Sequence, residues 1–367
     1  MIEIKILDKN FEQVGLIDNF ESFFITRKLY DLTTCELNTI KEYLYMFDLG
    51  FYIYVDDKNI FEINEISLNE VSESKNNSGI VIKGVELLNK LSKKVINKTY
   101  NFENTPIQDI LTTLIDNICI NNPDTKRNIN NLRINNTITG TEIISKQITY
   151  EPINKIIFDM AKTYNIYTQI NYNFENNELY IDFNEGLDRT YNQNINSFAV
   201  FSEEFENISN INFTINNEDY YNYLFIAGEG EGEERKTEIL DLRISENEEL
   251  KELYIDAKDV KTQDENNNPI NIETYKKMLL ERGREKSEEY KIIYDIQAEI
   301  LTTSNLKYKI DFDMGDLCVL VIGNMYLNIR LTEINEVYEN GYFKIEVSLG
   351  NLKPTLKEFI KREVNKQ

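Results

Sequence analysis

The 367-residue sequence contains no histidine and no tryptophan. Without histidine there is no Ser-His-Asp triad, no Cys-His pair, no HExxH zinc site and none of the usual neutral-pH acid-base chemistry. What survives is chemistry carried by carboxylates alone, such as a glycosidase pair or an acidic metal site, or no chemistry at all. The absence of tryptophan disfavours a carbohydrate-stacking groove, while 23 tyrosines suit sheet faces and interfaces. Three cysteines, Cys35, Cys119 and Cys318, are odd in number, lie far apart and form no CxxC pair, so neither a disulfide framework nor a zinc knuckle is indicated. Synthesis in a reducing compartment fits. No run of about 18 apolar residues occurs, and Met1-Ile-Glu-Ile-Lys-Ile-Leu-Asp8 alternates where a signal peptide would be apolar, so neither a secretory leader nor a membrane span is expected. Positive charge is also scarce. Sixty-three acids against 40 bases give a net charge of −23, which argues against nonspecific adhesion to nucleic acid or anionic lipid. Abundant Asn, Ile and Lys reflect the codon usage of an AT-rich genome, so Asn-rich runs carry little weight.

The length suits two or three domains. Residues 1 to about 97 read as antiparallel strands: Ile2, Ile4 and Ile6 alternate, Phe20-Glu-Ser-Phe-Phe-Ile-Thr26 is aromatic and β-branched, and turns at Asp56-Asp-Lys-Asn59 and Lys75-Asn-Asn-Ser-Gly79 separate further runs. The period then changes. Pro106 opens a helix whose stripe is Ile107, Ile110, Leu111, Leu114, Ile115 and Ile118, and Pro152 opens a second with Ile153, Ile156, Ile157, Met160, Ala161 and Tyr164. A hairpin follows, Tyr167 to Tyr172 and Leu179 to Phe183, so residues 98–200 form an α+β insertion between β regions. Residues 201–350 return to strands, broken by one helix at about 272–290 with Tyr275, Met278, Leu279 and Arg282 on a face. They end in a meander whose turn and bend candidates are Gly315, Asp316, Gly323, Asn324, Asn340, Gly341 and Gly350. Residues 351–367 are a short tail. The expected class is α+β, mainly β.

Candidate sites resolve into structural features. Ala227-Gly-Glu-Gly-Glu-Gly-Glu-Glu-Arg-Lys236 lacks the third glycine of GxGxxG and the Gly-Lys-Ser/Thr of a P-loop, and its carboxylates repel phosphate, so it reads as a flexible acidic link between strands. Asp264-Glu-Asn-Asn-Asn268 begins like a calcium loop, but Pro269 stands where glycine is needed. Asp311, Asp313 and Asp316 could cluster for a metal or a glycosidase, whereas Gly315-Asp316 reads as a bend. Arg282-Gly-Arg284 reads as an ion-paired helix face. No catalytic residue, cofactor or metal is expected.

The segment Tyr308-Lys-Ile-Asp-Phe-Asp-Met-Gly-Asp-Leu-Cys-Val319, then Ile329-Arg-Leu-Thr-Glu-Ile334 and Val347-Ser-Leu-Gly350, resembles the closing strands of phage tail (baseplate) hub proteins. Further likeness to hubs of siphophage-like tails and prophages runs in order through Val81-Ile-Lys-Gly-Val-Glu-Leu-Leu88, Gly186-Leu-Asp-Arg-Thr190, Ala227 to Arg235, Tyr254-Ile-Asp-Ala-Lys-Asp-Val260 and Leu280-Glu-Arg-Gly283. Thr34 and Cys35 depart from it, standing where relatives carry a glycine. The resemblance implies two tube-like antiparallel β-barrel domains flanking the α+β insertion, and a homotrimer that presents a pseudo-six-fold ring to the tail. Implied partners are the tail tube or distal tail ring protein on one side and the tip, spike and tape-measure proteins on the other, with DNA passing through the channel without specific binding. The implied place is the virion tail tip, after synthesis in the bacterial cytoplasm. Competing expectations are a tail-associated carboxylate hydrolase, for which residues 351–367 are too few to add a domain, and a receptor-binding tail module, which would show repeats or tryptophan clusters.

Overall fold

The computed structural model describes residues 2–56, 58–69, 79–135, 138, 141–301, 304–339 and 341–350. Asn340, the turn at 75–78 and the tail at 351–367 lie outside the described residues. The first region holds β1 (Ile4–Leu7), β2 (Gln13–Ile17), β3 (Phe20–Lys28), β4 (Thr34–Ile40), β5 (Tyr52–Asp56), β6 (Asn59–Asn69) and β7 (Gly79–Glu86). There follow α1 (Asn89–Ser92), β8 (Thr99–Pro106), α2 (Ile107–Ile115), β9 (Leu132–Ile134), β10 (Ile143–Thr149), α3 (Ile153–Tyr164), β11 (Ile166–Asn173) and β12 (Glu178–Glu185). The remainder comprises β13 (Val200–Ser202), β14 (Ile208–Asn216), β15 (Tyr223–Ala227), β16 (Thr237–Asp241), β17 (Glu252–Asp256), α4 (Ile272–Ser287), β18 (Ile293–Ile300), β19 (Leu317–Ile322), β20 (Met325–Glu339) and β21 (Tyr342–Gly350). With 47% strand and 18% helix the class is mainly β. Among the described residues no helix is long and apolar enough to cross a membrane.

Both expected proline-led helices form for the reason their stripes suggest. In α3 the residues Ile153, Ile156, Ile157, Met160 and Ala161 are buried on one face, and Asn165 closes the end at φ 60° with its N–H on the Ala161 carbonyl. Each of the isoleucine and methionine side chains contributes about 1.5–3 kcal/mol by leaving water. The α2 stripe is buried through Ile115, after which the backbone widens into a π turn over Asp116–Ile120 that keeps Ile118 and Cys119 inside. Helix α4 stops at Ser287, short of the expected 290, and buries Tyr275, Met278 and Leu279, but also Glu281 and Gly283.

The β regions do not close as two separate barrels. Their strands form one open path, β14-β18-β21-β20-β3-β4-β7-β6-β5-β1-β2. The reason lies in β20, which is 15 residues long. Its first half pairs with β19 (Leu317↔Arg330 to Ile322↔Met325), and its second half pairs with β3 of the first region (Lys28↔Glu333 to Ser22↔Glu339). One strand therefore joins sequences some 300 residues apart. The smaller sheets, β8-β10, β11-β12-β9 and β16-β15-β17, stand off this path. Phe11 stacks between Tyr52 and Tyr172, with centroids 4.4 Å away on either side, and so docks the β11 hairpin on the first region.

Candidate functional site

Two stretches that the sequence marks separately, Gly186 to Thr190 and Gly315-Asp316, meet in space. Gly315 sits at φ +84°, and a Cβ on Gly186 would fall 1.8 Å from the Gly315 carbonyl oxygen, so both positions need glycine. This close approach aligns the strap 186–202 along the strand that follows the bend. Leu317 N–H donates to the Leu187 carbonyl at 2.9 Å, Arg189 N–H to Leu317 at 2.8 Å, and β13 continues parallel to β19. Asp316, buried, closes the junction. Its Oδ1 accepts from Leu187 N–H at 2.8 Å, and its Oδ2 accepts from Arg189 Nε at 2.6 Å and from Asp313 N–H at 2.9 Å. Arg189 is itself buried and donates onward to Ser197 Oγ at 2.9 Å.

The remaining carboxylates of the expected cluster are also occupied with backbone. Asp313 accepts from Met314 N–H, and Asp311 from Lys307 N–H, each at 2.8 Å. Among the described residues no group of three or more Cys, Asp or Glu is arranged to hold a metal ion. The calcium-like loop is likewise self-capped: Asp264 Oδ1 accepts from Asn266 and Asn268 N–H at 2.8 Å each. Of the other turn positions, Gly323 and Asn324 form the link between β19 and β20, Gly341 (φ +79°) precedes β21, and Gly350 (φ +82°) ends it.

A second polar node lies at the seam between β3 and β20. Strand alternation puts Glu336 where an apolar residue is due, and it is 1% exposed. Arg27 pairs with it, and Tyr308 and Tyr338 donate to it at 3.0 and 3.1 Å. Burial alone would raise this carboxyl, but Arg27, Lys309 and the hydrogen bonds hold it below the usual carboxylate range. Beside the seam is a cavity of about 560 Å³ bounded in part by Arg27, Asn59, Glu86, Tyr167 and Asp313. Glu86 accepts from Thr33 N–H at 2.8 Å, and burial pushes its carboxyl up to about 7. The cavity mixes acids with bases and holds these groups in structural bonds, an arrangement suited to fixing the seam.

The acidic segment 227–236 links β15 to β16, as expected, and its start is held by hydrogen bonds at Glu229 while 231–234 are exposed. Glu229 accepts from Thr262 N–H and Oγ1 at 2.8 Å each, and Tyr275 OH receives Glu229 N–H at 2.8 Å. Arg282 and Arg284 are ion-paired to Asp259 and Glu142 at 2.8 and 3.4 Å.

Helix α4 is tied to β10 and α3 by groups that local pattern did not reveal. Lys146 pairs with Glu285, and Tyr164 OH donates to Glu281. Burial, then the Glu285 charge, pushes Glu281 from the ordinary 4.5 up to about 7, over the opposing influence of Tyr164, Lys146 and Arg284. A folded-state value above the unfolded one means that folding favours the protonated carboxyl. Stability from this site is therefore full below about pH 4.5, declines as pH rises, and is lost above about pH 7, a change of about 3 kcal/mol. Glu281→Gln should flatten that decline when urea midpoints at about pH 5 and about pH 8 are compared. Glu86 titrates in the same sense in both proteins, so the difference isolates Glu281. Equal pH slopes for variant and parent would refute the assignment.

No curated protein matches the sequence. Solved structures share the fold along nearly the whole chain. A tail protein from Neisseria meningitidis is 10% identical with a TM-score of 0.58, covering 95% of this chain and 96% of its own. A 43 kDa prophage tail protein from Shewanella oneidensis is 13% identical with a TM-score of 0.57, covering 95% and 98%. The prophage tail protein gp18 from Listeria monocytogenes is 10% identical with a TM-score of 0.58, covering 99% and 98%. At these identities the likeness is one of fold. Residues 3–351 match the family described as Siphovirus ReqiPepy6 Gp37-like protein, and the chain belongs to that family of phage tail proteins.

Proposed function

We propose that the chain is the structural hub of a phage or phage-like tail, a homotrimer whose ring joins the tail tube or distal ring to the tip and encloses the DNA channel. The observation that carries this reading is the state of the two sheet ends. Among the described residues no strand pairs with the outer edge of β2 or of β14. Neither Gln13-Val-Gly-Leu-Ile17 nor Ile208-Ser-Asn-Ile-Asn-Phe-Thr-Ile-Asn216 contains a charged residue, in a chain that is 28% charged. Open edges in soluble proteins are normally guarded by charge or proline. Val14, Leu16 and Ile215 are 46%, 43% and 47% exposed there. Two unguarded edges at opposite ends of one sheet suit head-to-tail pairing between copies, which closes a ring. The division into 1–97, 98–200 and 201–350 belongs to the same proposal; buried residues cluster within 4–82 and within 224–279, while a larger cluster from Leu7 to Phe183 packs the first region against the insertion and another joins Leu29 to the last region. A net charge of −23 would let duplex DNA slide through without adhering. No catalysis is assigned, because Asp311, Asp313 and Asp316 serve as acceptors for the backbone and for Arg189.

Light scattering tests the ring. The purified chain should weigh about three times 43.3 kDa, and Leu16→Lys with Ile215→Lys should bring it to the monomer mass with an unchanged far-ultraviolet spectrum. A double variant that remains trimeric would remove the edge pairing, and a parent that stays monomeric even with its tail partners would remove the hub.

A further inference from the structure

The three-stranded sheet β16-β15-β17 has one face against α4, where Leu224, Ile226 and Ile255 pack on Tyr275, Met278 and Leu279. Its opposite face carries a second apolar row. Phe225 lies opposite Ile239 on one side and Tyr254 on the other, and these three are 41%, 47% and 55% exposed. Three neighbouring large apolar side chains, one from each strand, form the kind of aromatic centre around which protein interfaces concentrate their energy. The two arginines at its rim are already paired. Arg235 lies over Tyr254 and bonds Asp256 at 2.7 Å, and Arg243 lies over Tyr223 and bonds Asp241 at 2.7 Å. Glu252, opposite Tyr223, adds a further acid.

From this geometry we infer that the Ile239–Phe225–Tyr254 face docks a segment of a different protein, one with apolar side chains flanked by Lys or Arg. Charge selects the occupant. Between residues 219 and 291 twenty acids stand against twelve bases, so a second copy of this chain would bring like charge to the same face. The mode of docking is also constrained. The edge strands Thr237-Glu-Ile-Leu-Asp241 and Glu252-Leu-Tyr-Ile-Asp256 each carry two acids in five residues, unlike β2 and β14. They are guarded against strand addition, so the partner lies on the face. The inference is independent of the trimer, because it rests on a sheet outside the continuous path.

The test uses the full chain and two synthetic peptides of alternating Val and Phe, one with a pair of lysines at each end and its twin with glutamates. By calorimetry the lysine-flanked peptide should bind about tenfold more tightly than its twin, with the difference shrinking in high salt. Ile239→Ser with Tyr254→Ser, both at exposed positions, should weaken it by about a further tenfold while leaving the far-ultraviolet spectrum unchanged. Because the chain has no tryptophan, Phe225→Trp supplies a single tryptophan, excited selectively over tyrosine, whose emission should shift to shorter wavelength as the peptide covers it. Equal binding of the twins, or binding indifferent to the Ser variants, overturns the proposal. So does a fall in oligomer mass caused by the Ser variants, which would make the face a contact between copies.

Discussion

Replacing Asp316 with alanine should lower the unfolding free energy by about 3–5 kcal/mol, the usual consequence of removing one member of a buried ion pair. The carboxylate terminates two backbone donors, Leu187 and Asp313, and one guanidinium, Arg189, all in the folded state. Arg189 and Asp316 are 8% and 3% exposed, so water cannot replace the lost acceptor without the strap opening. Three bonds broken at once would lose more than any one of them, because an unpaired buried donor keeps its full desolvation cost. The decisive comparison is a double-mutant cycle in urea. Asp316→Ala with Arg189→Met should be less damaging than Asp316→Ala alone, since the second change removes the stranded charge. A single-variant loss below about 1 kcal/mol would show that the junction is solvated and that Asp316 is dispensable.

That junction shows where a sequence stops being readable. Local periodicity places the strands and the two proline-led helices, because burial of one face leaves a repeat of two or 3.6 residues in the chain itself. It also identifies Gly315-Asp316 as a bend and the segment after Lys236 as a strand. Joining Gly186 to Gly315 needs the distance between two backbones about 130 residues apart, which no local repeat carries. The seam is similar. Alternation with Ile334 and Tyr338 puts Glu336 on the inward face, where a carboxylate has no local reason to be, and its partner there, Arg27, lies 309 residues earlier. Glu281 hides in a run of charges on α4, a helix whose polar residues outnumber its apolar ones, and its burial follows from β10 and α3 packing beside it. Two barrels are what the resemblance to tail hub proteins implies; the pairing of β20 with β3, some 300 residues earlier in the chain, leaves no local trace, because β20 already has a hairpin partner along each half, β19 and β21.

Gly186→Ala should be as severe as the loss of Asp316, for a steric reason that leaves charge untouched. The new methyl would lie 1.8 Å from the Gly315 oxygen, 2.1 Å from the Gly315 carbon and 2.9 Å from the Asp316 nitrogen. All three are backbone atoms, so no side chain can rotate away. Gly315 cannot yield freely, since its N–H is held by the Leu331 carbonyl at 3.0 Å and its φ of +84° is already in glycine territory. The strap must therefore lift, taking with it the Leu187 bonds to Asp316 and Leu317. Overpacking of this kind costs about 3 kcal/mol, which in a chain of this size lowers Tm by roughly 4 °C. Gly323→Ala is the control. It too has positive φ, +55°, but a methyl there meets nothing within 4 Å. Only the backbone preference is lost, about 1 kcal/mol and about 1 °C. If the two variants melt together, the effect at Gly186 is conformational and the close backbone approach does not exist in solution; if Gly186→Ala melts far lower, contact between the two glycines holds the strap to the closing meander.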